Sequence, residues 1–103
     1  MGSYSRNRVE MDEVKAGDKL VVDVGQDYEV WVKVLQNAKV DTNVGTISIK
    51  RRVGCISKTG RIVFLEKVKS TDRERLRYAG SPAANIEKIE RNNKATAKFP
   101  NDA

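Results

Sequence analysis

The stretch Ile47-Ser48-Ile49-Lys50-Arg51-Arg52-Val53-Gly54-Cys55-Ile56-Ser57-Lys58-Thr59-Gly60-Arg61-Ile62-Val63-Phe64-Leu65-Glu66-Lys67-Val68-Lys69 decides both the fold and the charge of this chain. Ile47 and Ile49 alternate with Thr46, Ser48 and Lys50, the period of two that a half-buried strand requires. Ser57-Lys58-Thr59-Gly60 is a four-residue turn with glycine where a positive φ is needed. Beyond it, Ile62, Phe64 and Val68 fall on one face and Val63 and Leu65 on the other, so this arm is predicted to be covered on both sides. The whole segment reads as a β-hairpin, with Gly54 marking a bulge or bend in its first arm. It also carries seven bases against the single acid Glu66, a formal charge of +6 that equals the net charge of the 103-residue chain.

Upstream, Lys19-Leu20-Val21-Val22-Asp23-Val24 places Leu20, Val22 and Val24 on one face. After a turn at Gly25-Gln26-Asp27, residues 28–35 place Tyr28, Val30, Val32 and Val34 on one face and Glu29, Trp31, Lys33 and Leu35 on the other. Both read as strands. Residues 36–43 are polar and read as a connection. Downstream, Thr71-Asp72-Arg73-Glu74 has the spacing of a capping box, which predicts a short helix stopped at Gly80. Residues 82–91 read as a short closing strand at Asn85-Ile86-Glu87-Lys88-Ile89, with a helix begun by Pro82 as the open alternative. The expected fold is mainly β, with about five strands and one short α-helix in a single domain over residues 11–91. Residues 1–10 are expected to be a flexible N-terminus and residues 92–103 a disordered polar tail.

Composition narrows the function. An apolar fraction of 39% supports a modest core, and no apolar run approaches the length of a membrane span. The polar start lacks the apolar stretch of a secretory signal. One cysteine, Cys55, excludes an internal disulfide and points to a reducing, cytoplasmic setting, with Cys55 itself expected to be a small buried residue. Histidine is absent, which removes His-based acid–base chemistry, Ser-His and Cys-His nucleophile pairs and the usual zinc sets. The chain is expected not to be an enzyme, with no catalytic residues, metal or cofactor.

Gly17-Asp18-Lys19-Leu20-Val21-Val22 resembles the Gly-Asp-x-Val opening of SH3-like barrels, including the KOW type found in ribosomal and transcription-elongation proteins. Asn85-Ile86-Glu87-Lys88-Ile89 is similar to their closing strand. Gly25-Gln26-Asp27-Tyr28 lacks the second glycine of a KOW loop, so the resemblance is to SH3-like barrels in general and only distantly to KOW. It implies a small SH3-like barrel over residues 14–91 and a link to transcription or translation.

A concentrated basic stretch is the electrostatic footprint of nucleic-acid binding. Lys50, Arg51, Arg52, Lys58 and Arg61 are predicted to form a stripe along one end of the hairpin. Arg73 and Arg77, at i and i+4, would share a helix face, with Arg75 pointing elsewhere. Trp31 either stacks on a base or covers a second small core with Val21 and Leu35. Because aromatic residues make up only 6% of the chain, DNA or RNA is expected to be held by its phosphate backbone rather than read as a single strand. Two other readings fit the same residues. Lys50-Arg51-Arg52 can be a solvated edge that blocks strand association, and the chain can be a protein-interaction or inhibitor module, viral proteins included, docking on an acidic protein.

Overall fold

The computed structural model describes residues 6–25, 28–36, 38–79, 84–92 and 98–100, and among them nine strands form one antiparallel sheet. They are β1 (Arg6–Arg8), β2 (Lys19–Asp23), β3 (Glu29–Val34), β4 (Lys39–Val44), β5 (Ile47–Ser57), β6 (Ile62–Ser70), β7 (Arg73–Ala79), β8 (Ala84–Asn85) and β9 (Lys88–Asn92). The hydrogen-bonded order is β1-β9-β2-β3-β5-β6-β7-β8. β5 is eleven residues long, so one side pairs with β6 while the other is shared between β3 and β4. No helix among the described residues is long and apolar enough to cross a membrane.

The valine alternations read from the sequence set the core. Leu20 and Val22 from β2, Val30, Val32 and Val34 from β3, Val53 and Cys55 from β5, and Val63 and Leu65 from β6 are buried in one cluster. Burial pushes the Cys55 thiol up to about 12, so it is a packing residue with no thiolate character near neutrality. Met11, in a 3-10 turn over Met11–Glu13, caps one end of this cluster. Tyr28, expected to join the valine stripe, is instead 61% exposed.

Four expectations are corrected. Residues 71–79 are a strand, not a helix. Ser70 pairs with Arg73 across the two-residue turn Thr71-Asp72, and β7 then pairs with β6 in unbroken register to Phe64↔Ala79. Thr71 takes a φ of 55°, the left-handed value that a II′-type hairpin needs at its first loop position. The local capping signal yields because β7 supplies backbone partners along β6 and lays Leu76 and Tyr78 against the core. As a consequence Arg73, Arg75 and Arg77 share one face, so Arg75 does not point elsewhere.

The connection at 36–43 contains β4, which pairs with β5 through the turn Gly45-Thr46. The bulge falls at Lys50, where the β5–β6 register shifts between Ile49 and Arg51, while Gly54 lies in regular register opposite Phe64. Finally, the packed unit extends past both expected ends. β1 pairs with β9, Val9 is buried, β9 runs to Asn92, and Phe99 is 3% exposed with Lys19 over its ring. The strand expected over Asn85–Ile89 is broken at Ile86-Glu87, with Asn85 ending β8 and Lys88-Ile89 opening β9, and no helix forms over residues 84–92. The proposed helix stop Gly80 and the possible helix start Ser81-Pro82 lie outside the described residues.

Candidate nucleic-acid interface

The bases that the sequence groups into one stripe separate into two patches. Arg51 and Lys58 are seven residues apart on or just beyond one strand, which is ~23 Å at ~3.3 Å per residue. At the first patch five cations share three carboxylates, Asp12, Glu66 and Glu74. Lys50, placed by the bulge, meets Glu74 of β7 at 2.9 Å. The exposed Glu74 carboxyl is held below its usual range by that hydrogen bond and by the Lys50 charge. Arg51 and Lys67 stand directly opposite each other across β5 and β6. Like charges so placed repel. Asp12 relieves this by reaching both, with Oδ1 3.0 Å from Arg51 Nε and Oδ2 3.7 Å from Lys67 Nζ.

Arg52 and Arg77 are committed more deeply. Arg52, Glu66 and Arg77 form one row across β5, β6 and β7. Glu66 is 2% exposed, with Oε2 3.0 Å from Arg52 Nε and Oε1 3.4 Å from Arg77 Nε. Neither Nε makes a hydrogen bond, so these two contacts are ion pairs. The Arg52 guanidinium also lies 3.9 Å from the centroid of the Phe64 ring, a stacked cation–π contact. Arg73 sits exposed at the tip of the β6–β7 hairpin.

The second patch lies at the opposite end of β5. There Lys58 and Arg61 come together with Trp31, and two residues expected from the sequence to pack in the core, Tyr28 and Tyr78, join them in one cleft of about 260 Å3. Lys58 and Arg61 are exposed, while Trp31 and Tyr78 are half-buried. Lys58 Nζ lies 5.6 Å from the Trp31 ring centroid. Trp31 is also paired across the sheet with the buried Val21, so it serves a second packed layer and the cleft at once. Burial pushes the Tyr78 hydroxyl up, with Tyr28 reinforcing the shift and Arg61 opposing it. Glu29 is the one carboxylate in the lining among the described residues.

The loop that presents the cations is fixed by Ser57. Its backbone N–H donates to Arg61 O at 2.8 Å and its carbonyl accepts from Gly60 N–H at 3.0 Å. Its hydroxyl accepts from Arg61 N–H at 3.0 Å and lies 3.0 Å from the Thr59 hydroxyl. Gly60 takes a φ of 88°, as the turn chemistry requires. On the other wall, Asp23 Oδ1 accepts from Gly25 N–H and Gly25 O accepts from Tyr28 N–H, which sets Tyr28 just before β3.

Among the described residues no group of three or more Cys, Asp or Glu is placed to hold a metal ion. No protein-family model, curated protein or solved structure matches this chain.

Proposed function

We propose that the chain is a small nucleic-acid-binding module whose sheet curls into an SH3-like barrel and whose contact surface is the cleft beside the β5–β6 loop. Residues 84–92 support the barrel reading. Ile86 N–H donates to Leu76 O in β7 at 3.0 Å and Glu87 N–H to Asp23 O in β2 at 2.7 Å, so consecutive residues reach strands on opposite sides of the β3-β5-β6 centre of the path. Closure of that kind protects edges that would otherwise recruit other chains.

The functional reading is carried by the placement of Lys58 and Arg61 beside Trp31 on a loop already ordered by Ser57. Cations on a fixed loop meet phosphates without a large ordering cost, and the chain as a whole carries a net +6. Lys50, Arg51, Arg52 and Arg77 have carboxylates of the same fold to satisfy. The exposed pairs at Lys50 and Arg51 are weak and exchangeable, so that end plays a secondary part.

Mobility shifts at low salt with duplex DNA, single-stranded DNA and RNA test this. At least one is expected to shift, and the shift is expected to fade as salt rises. K58E/R61E is expected to abolish it, whereas K50E/R51E weakens it less. Charge removal at Lys58 and Arg61 should flatten the dependence of log K on log salt by about 0.7, the value for one phosphate contact on a single strand. No shift with any nucleic acid would overturn the reading in favour of an acidic protein partner. Loss in K50E/R51E with retention in K58E/R61E would move the site to the other end of β5.

A further inference from the structure

We propose that the cleft is a single-base slot: one unpaired base of a single strand stacks on Trp31 and Tyr28 while its phosphate lies between Lys58 and Arg61. This rests on the nucleic-acid reading above and adds a preference for single strands, contrary to the purely backbone-directed binding expected from composition. The aromatic content is low across the chain, but three of the six aromatic residues, Tyr28, Trp31 and Tyr78, line this one cleft. At about 260 Å3 the cleft is smaller than the ~300–1,000 Å3 typical of enclosed ligand sites, so it suits one planar ring rather than a buried small molecule.

The aromatic surface and the cations come from different strands, and this spacing favours a nucleotide. Tyr28 immediately precedes β3 and Trp31 lies within it, whereas Lys58 and Arg61 belong to the β5–β6 loop that shares the cleft with them. A base can therefore contact one wall while its own phosphate contacts the other. In the free protein the Lys58 ammonium covers the Trp31 ring at 5.6 Å. An exposed cation–π contact is weaker than base–aromatic stacking. A phosphate that draws Lys58 aside thus exchanges a weak partner of Trp31 for a stronger one. Glu29, in the same lining, disfavours an anion on its own side of the cleft. A base in a duplex has both its faces stacked and cannot enter.

Trp31 is the only tryptophan of the chain, so its fluorescence reports the slot alone. The test titrates the full chain with a short oligothymidylate, with an abasic strand of equal length and charge, and with a duplex. Oligothymidylate is expected to quench Trp31 and to bind roughly 5- to 150-fold more tightly than the abasic strand, the range of one base–aromatic stack. Y28A, an exposed position, and W31F, followed by anisotropy of a labelled strand, are expected to narrow that gap. Thermal unfolding of each variant confirms that it is folded. Equal affinity for the two single strands, or tighter binding of the duplex without quenching, would overturn the slot and leave the nucleic-acid reading standing. Binding of none of the three would overturn both.

Discussion

A carboxylate that is 2% exposed persists in this sheet because Arg52 and Arg77 reach it from the strands on either side. The two arginines are 41% and 36% exposed at their side chains, so they can turn to water, whereas Glu66 cannot. Removing partners should therefore be asymmetric. R52M/R77M is expected to cost about 3–5 kcal/mol, the penalty for leaving a buried charge uncompensated. E66M is expected to cost clearly less, because two guanidiniums return to solvent and a side chain of similar size fills the site. Urea unfolding of both variants checks this, and equal losses would contradict it. The same argument separates structural from functional arginines. Arg52 and Arg77 stood among the sequence-derived contact residues because a sequence displays charge without its partner. Their in-register neighbour Glu66 was visible, but nothing local said that it would be buried.

At the scale of elements, strands built from valine were legible and strands built from charge were not. β2 and β3 announce themselves through Leu20/Val22 and Val30/Val32/Val34, a pattern only a half-buried strand explains. β4 hides its period among Lys39, Asp41 and Asn43, which resemble loop residues. β7 hides the alternation of Arg73, Arg75 and Arg77 with Glu74, Leu76 and Tyr78 behind a sequence that also fits a helix cap. Pairing with β6 decides the second case, and pairing is a long-range fact. Thr71 offers a direct check. A β-branched residue at a φ of 55° is strained by roughly 1–2 kcal/mol, and glycine relieves it at an entropic cost of about 0.5–1 kcal/mol. Thr71→Gly is thus expected to stabilise the protein by roughly 0.5–1 kcal/mol, seen as a rise of several degrees in Tm. A helix cap at Thr71 would give the opposite sign, a small loss of stability.

For the molecule as a whole, the charge count in the sequence located the basic segment but not the basic surface. Of the eight residues it nominated, Lys58, Arg61 and Trp31 meet in one cleft. Lys50, Arg51, Arg52 and Arg77 face acids of the same chain, and Arg73 stands apart at a hairpin tip. Tyr28 and Tyr78 could not have been nominated from local pattern, because they reach the cleft from just before β3 and from β7, fifty residues apart in the chain. The segment that sums to +6 is thus two objects: an end whose cations share three carboxylates of the same sheet and an end whose cations stand beside Trp31 in a cleft. Amide chemical shifts followed by NMR during titration with a short single-stranded oligonucleotide test that division most directly. The largest changes are predicted at residues 28–31 and 57–61 and at Tyr78, with residues 50–52, 66–67 and 73–77 nearly unmoved. Changes centred on residues 50–52 and 73–77, with the 57–61 loop silent, would contradict the account.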